Sequence, residues 1–456
     1  MGRSRGNRFG MAPLLDPPTA RRVCGIALSF AALGFNACSS QRSDPSLSKA
    51  VEDESVPNVP EPPATGPKLG AVANVTPVLE RPASGARQIG YLHAGARVAR
   101  AQEPYSRRGC GGGWYSVRPR GFVCATESAT LDMAHPTLAA MALTPQLDKP
   151  LPYTYARTRA ETPIFERDPG HDDAVRDVGK LKKRASMAVV GSWSARDPEG
   201  NVQRLALLTS GRFVRANDLE AAEPSAFQGV ELSKKDDLPV AFVVKRGIHS
   251  FKLDADDSQK AGTLAYHEVV HLTGRFHSVG DVKYWATSDG HWVRHRDVLV
   301  VQARNVFPDF AQGTQRWIDL SVVTGTLTLY EGKKPIFVTL ASVNRDAHAS
   351  ETDKWLGTFD VTGKEVTLAT RDPNSFGESF EVFDAPWGLT LSSGTLLYGA
   401  YWHDRFGVDH GPGAIELSPA DAERVYQWTT PQIPEGWHGL AQPLADAEKT
   451  RFVIRK

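Results

Sequence analysis

From residue 70 onward, apolar residues recur in short alternating runs and seldom at helical spacing. Ala71–Thr76, Gln88–Leu92, Arg97–Ala101, Trp114–Val117 and Gly121–Ala125 are separated by Gly, Pro and Ser turns, the pattern of half-buried strands. Val282–Thr287 and His291–Val293 flank Ser288-Asp289-Gly290, which predicts a hairpin. Trp317–Ser321, Thr326–Gly332 and Ile336–Ser342 alternate as a β-meander with a turn at Glu331-Gly332. A weak repeat runs through the chain. Thr209–Leu219 parallels Ser288–Val298, each reading as a turn, a strand carrying an aromatic and a one-turn step ending near an Asp; Arg118–Val123 stands at the corresponding place further upstream.

Composition agrees with a turn-rich β chain. There are 40 Gly, 31 Pro and 10 Trp among 456 residues, and 53 Lys+Arg against 52 Asp+Glu leave a net charge of +1. That balance gives no electrostatic argument for nucleic acid. The start is different in character. Arg3, Arg5, Arg8, Arg21 and Arg22 precede the uncharged run Val23–Ala37, too short to cross a bilayer core of about 30 Å as a permanent helix but suited to an export signal. Residues 39–69 are rich in Pro, Ser, Glu and Asp and predict an extended, solvated linker. Cys110 and Cys124 flank Gly113-Trp114-Tyr115. In an exported protein they predict a disulfide; a metal site there lacks two further ligands at suitable spacing.

One stretch spells a known metal motif. His267-Glu268-Val269-Val270-His271-Leu272-Thr273-Gly274-Arg275-Phe276-His277 matches H-E-x-x-H-x-x-G-x-x-H. On a helix, His267, His271 and His277 would hold zinc and Glu268 would polarise a water. The β-branched residues within it and the hairpin after it argue for strands instead, so no metal and no cofactor are expected.

The residues Leu397–Trp437 resemble the active-site segment of the L,D-transpeptidases (YkuD-type domains). Gly399–Asp404, Phe406-Gly407, Gly413, Ile415, Leu417–Ala422 and Trp428 match the family pattern. The three chemical positions do not: Tyr398 and Pro412 stand where the family has its histidines, and Ala414 where it has the nucleophilic Cys. The reaction needs a thiolate and a nearby imidazole, and no cysteine follows Cys124. Gly34–Cys38 resembles a bacterial lipoprotein signal, which implies lipidation of Cys38; the alternative is an ordinary signal peptide with a stray Cys. The pattern of Gly90-Tyr91-Leu92, Gly95-Ala96-Arg97-Val98 and Gly113-Trp114-Tyr115 resembles a bacterial SH3-like domain.

Together these resemblances imply a mainly β chain of SH3-like barrel modules followed by an L,D-transpeptidase-like β-sandwich domain with a short helix. The bounds read as a lipoprotein signal over 1–38, a linker over 39–69, modules over 70–135, 150–232 and 238–302, and the last domain over 314–440. The expected function is an inactive envelope lipoprotein that binds or scaffolds peptidoglycan at the periplasmic face, on the outer membrane. The expected partners are peptidoglycan stem peptides and the membrane, with no nucleic acid. A binding cleft would use Trp387, Tyr401, Trp402, His403, Asp404 and His410, unless Trp402, His403 and Asp404 only pack the loop. Two alternatives stand beside this reading: an active L,D-transpeptidase, and a zinc metallopeptidase through His267, Glu268, His271 and His277.

Overall fold

The computed structural model describes residues 56–141, 144–171, 173–233, 237–343, 355–370, 374–411, 413–441 and 449–456. The predicted signal over 1–38, Cys38, most of the linker and Pro412 lie outside the described residues. The chain is mainly β, with few and short helices.

The alternating runs resolve into sets of short strands. The first set is β1 (Lys68–Ala71), β2 (Thr76–Leu79), β3 (Gln88–Leu92), β4 (Arg97–Ala99), β5 (Trp114–Ser116), β6 (Phe122–Cys124) and β7 (Ala129–Thr130), followed by helix α1 (Pro136–Ala140). The second is β8 (Thr154–Thr158), β9 (Thr162–Arg167), β10 (Val175–Leu181), β11 (Ser186–Arg196), β12 (Val202–Leu208), β13 (Phe213–Arg215) and β14 (Leu219–Ala221). After β15 (Val230–Glu231) comes the third: β16 (Val240–Val243), β17 (Ile248–Leu253), β18 (Ser258–Leu264), β19 (Val269–Val279), β20 (Val282–Thr287), β21 (Trp292–Arg294) and β22 (Val298–Val301).

All three sets share one strand order. The second runs β10-β9-β13-β12-β11-β8-β14 and the third β18-β17-β21-β20-β19-β16-β22. The first shows the same sequence in two pieces, β3-β2-β6-β5 and β4-β1-β7, linked by the bridge Arg100–Val117. The repeated segments fall at equivalent places: a 3-10 turn, Ala216–Asp218 or His295–Asp297, joins the last two strands of the later sets. The Cys110–Cys124 disulfide is present, with Cα atoms 5.9 Å apart.

The last region contains β23 (Arg316–Ser321), β24 (Thr326–Glu331), β25 (Lys334–Leu340), β26 (Ser342–Val343), β27 (Gly357–Ala369), β28 (Asp384–Leu391), β29 (Leu396–Gly399), β30 (Ile415–Leu417), helix α2 (Pro419–Trp428), β31 (Gly439–Leu440) and β32 (Arg451–Arg455). Ser418 starts α2: its side chain accepts from the Asp421 N–H and Pro419 follows as the first helical residue, where a missing N–H costs nothing. The helix buries Ala422, Val425, Tyr426 and Trp428 against Leu389, Leu397, Ile415 and Leu417, and so fixes β29 and β30 behind the candidate site.

Two contacts extend this region past the bounds read from the sequence. Strand β32, beyond residue 440, lies between β23 and β27. Strand β31 pairs with Lys364 and Glu365 of β27 on one side and with Gly90 and Tyr91 of β3 on the other. Trp437 enters the core of the first set. A Cβ at Gly90 would come within 2.4 Å of its ring, so glycine permits the approach. Among the described residues no helix is long and apolar enough to cross a membrane.

Candidate functional site

Strands β29 and β30 run parallel, with Leu397 beside Ile415 and Tyr398 beside Glu416. Because side chains alternate along a strand, Leu397 and Ile415 enter the core while Tyr398 and Glu416 share the opposite face. A cleft of about 450 Å³ opens there, lined by Trp355, Ser375, Phe376, Ser393, Thr395, Tyr398, Gly413 and Ala414. Two positions singled out in the sequence, Tyr398 and Ala414, thus meet on one cleft wall. Ala414 presents only a methyl group, packed with Phe376, Phe380 and Tyr398.

Behind this wall lies a polar cluster. Glu416 is fully buried; its two carboxylate oxygens accept from Tyr398 Oη at 3.2 Å and His403 Nε2 at 3.1 Å. The Arg405 N–H donates to His403 Nδ1 at 3.1 Å, which assigns the remaining ring proton to Nε2. Burial, together with the neighbouring Glu416 charge, pushes the Tyr398 phenol well above its usual value, so it is a hydrogen-bond donor and no base. Gly411 passes over this acid at φ 107°, where a Cβ would meet Glu416 Oε2 at 2.9 Å; glycine alone fits there without strain.

His410 and Glu378 complete the cluster. His410 Nε2 lies 3.0 Å from Glu378 Oε1 and 2.7 Å from Arg405 Nη2. One ring nitrogen cannot donate to the carboxylate and accept from the guanidinium at once. Burial would raise the Glu378 carboxyl, but the His410 hydrogen bond and the neighbouring Arg405 charge outweigh it and hold the group below its usual value. The His403 and His410 rings stand nearly perpendicular, with centroids 4.8 Å apart.

The other expected cleft residues are elsewhere. Trp387 is fully buried in the main core against Tyr426, and its Nε1 donates to Pro150 O at 2.7 Å. Tyr401 is buried against Tyr155 at 4.5 Å. This corrects the expectation that Trp387 and Tyr401 present a binding surface: both rings are buried in the interior. Trp402 packs between Phe376 and Tyr401, and Asp404 pairs with exposed Arg246 at 2.8 Å. Sequence reasoning missed Glu378, Arg405 and Glu416. An acid between Ile415 and Leu417 in a strand with a buried face was a readable signal for Glu416; Glu378, in a loop, carried none.

The zinc-peptidase motif is dispersed. His267 sits in a turn at φ 68°, stacked on Tyr266 at 3.8 Å and tilted against Phe227 at 4.5 Å, and burial draws it down to about 4. Glu268 caps the Ala265 N–H at 2.6 Å. His271 and His277 are exposed on β19, six residues apart on a strand, a run of roughly 20 Å at full extension. Among the described residues, the group whose ligand atoms lie within 4.8 Å of one another is instead Glu378, His403 and His410.

No family model and no curated protein matches the chain. Solved structures similar to it include L,D-transpeptidases. One, from Mycobacterium smegmatis, is 16% identical over 52% of this chain and 99% of its own, with a TM-score of 0.24. L,D-transpeptidase 3 from Mycobacterium tuberculosis, in complex with a faropenem-derived adduct, is 18% identical over 41% of this chain and 79% of its own, with a TM-score of 0.23. An L,D-transpeptidase from Stackebrandtia nassauensis is 16% identical over 34% of this chain and 62% of its own, with a TM-score of 0.22.

Proposed function

We propose that this chain is an envelope lipoprotein of the L,D-transpeptidase type whose cleft binds peptidoglycan stem peptides without cross-linking them. The observation that supports it is the pairing of Tyr398 and Ala414 on one cleft wall. A space remains where the resembled family attacks its substrate, and it offers a methyl group and a phenol instead of a thiol and an imidazole. Hydroxyls of Ser375, Ser393 and Thr395 and the rings of Trp355 and Phe376 line it, a mixture suited to an extended peptide. Cys110 and Cys124 are joined to each other, so neither supplies a thiolate.

The strand order common to the three upstream sets supports reading them as SH3-like modules over about 70–135, 150–232 and 238–302. Export, lipidation at Cys38 and an outer-membrane position facing the periplasm remain part of the proposal, resting on the signal-like leader. Replacing Cys38 with Ser is expected to release the protein from the membrane fraction.

Retention of the full chain on purified peptidoglycan tests the binding role. Removing the last domain is a poor control, because Trp437 belongs to the first set's core. A better one is Ser393→Trp with Thr395→Trp, which fills the cleft rim from partly or fully exposed positions. Retention should fall several-fold; unchanged retention would remove the cleft from the proposal.

A further inference from the structure

We propose that Glu378, His403 and His410 form a binding site for a divalent transition metal, zinc by its ligand class, with Glu416 holding His403 in place. The proposal goes beyond the peptidoglycan reading and does not depend on it. Two imidazoles and a carboxylate are a borderline-soft donor set that suits zinc. Their ligand atoms lie within 4.8 Å of one another, and their side chains are 5%, 17% and 9% exposed for His403, His410 and Glu378.

The conflict at His410 supports the same conclusion. Its Nε2 faces the Glu378 carboxylate and the Arg405 guanidinium together, and only one of those contacts can be a hydrogen bond. A dication resolves it. The lone pair of His410 Nε2 and the charge of Glu378 both turn to the ion, any proton on Nε2 leaves to solvent, and Arg405 swings out. Arg405 can do so because its side chain is 48% exposed. Arg405 Nη2 lies 3.0 Å from Glu378 Oε1 and 2.7 Å from His410 Nε2, so the guanidinium would compete with an ion for both groups. Glu416, which accepts from both Tyr398 Oη and His403 Nε2, plays the part of the carboxylate partner that orients a ligating histidine. The ion takes the His403 Nδ1 lone pair, so the Arg405 N–H that donates to Nδ1 turns away as Arg405 moves out. The ion would tie the Glu378 loop to the loop between β29 and β30 that carries His403 and His410, bracing the wall that carries Tyr398. Its chemistry there is structural, since the cleft lining does not include the three ligands.

The full chain, stripped with a chelator and dialysed, is titrated with zinc chloride by calorimetry and checked by elemental analysis. About one zinc per chain is expected. His410→Ala and the near-isosteric Glu378→Gln should each weaken binding by more than about tenfold, while circular dichroism stays unchanged. Arg405→Ala should strengthen it, because a competing cation is gone; a purely structural arginine would not produce that gain. His271→Ala should leave binding as it was. Absence of zinc uptake in both the unmodified and the Arg405→Ala proteins overturns the proposal. So does zinc that persists in His410→Ala and Glu378→Gln but is lost in His271→Ala.

Discussion

Two stretches of this chain invert the usual relation between motif and site. His267–His277 spells a zinc-peptidase pattern in full, yet its groups are spread over a turn and a strand, with His271 and His277 facing solvent. His403–Glu416 matches no metal motif, yet it folds His403, His410 and Glu416 into one largely buried cluster with Glu378. A spacing of i, i+4 gathers side chains only on a helix. The first stretch has the letters without the period, and the second has the geometry without the letters.

Stability should separate the two most sharply. Glu416→Ala leaves Tyr398 Oη and His403 Nε2 without their buried acceptor and is expected to cost about 3 kcal/mol. Glu268→Ala, at an exposed residue, should stay within about 0.5 kcal/mol. Denaturant melts of both variants decide it, and equal losses would erase the contrast.

Reactivity sharpens it next. Ala414→Cys alone should gain little reactivity towards a carbapenem, because Pro412 supplies no imidazole to lower the thiol pKa. Adding Pro412→His and Tyr398→His should create acylation, read as a mass increase on the intact protein. A silent triple variant would mean that the cleft geometry itself has been lost.

Acid sensitivity gives a smaller difference. Burial lowers His267 to about 4 from an ordinary value near 6.5. Between those values the unfolded chain binds the proton and the folded one does not, so stability rises with pH. The His267 contribution is intact above about pH 6.5 and lost as pH falls towards 4. His267→Phe should flatten that part of the melting-temperature profile, whereas His271→Ala, at an exposed site, should leave it unchanged.

Local features were legible in the sequence and distant ones were not. The hairpin around Ser288-Asp289-Gly290 and the meander from Trp317 are set by neighbours in the chain, and both formed as β20–β21 and β23–β25. The disulfide followed from two cysteines in one small module. Strand β31 could not be foreseen: two residues carry no periodicity, and their partners Gly90 and Tyr91 lie far upstream. Trp387 and Tyr401 were misplaced for a related reason. A motif match locates a residue along the chain, but which face of its strand or loop it occupies depends on the core it meets, here Tyr426 and Tyr155. Glu378 joined the site only through tertiary folding.

The proposed role, a cleft that binds without reacting, is tested most directly by the intact mass of the unmodified full chain after incubation with a carbapenem. The mass should remain that of the protein alone, since Ala414 offers no nucleophile and Cys110 and Cys124 are bonded to each other. A mass raised by one carbapenem on a stable covalent adduct would contradict the account and make the chain an enzyme.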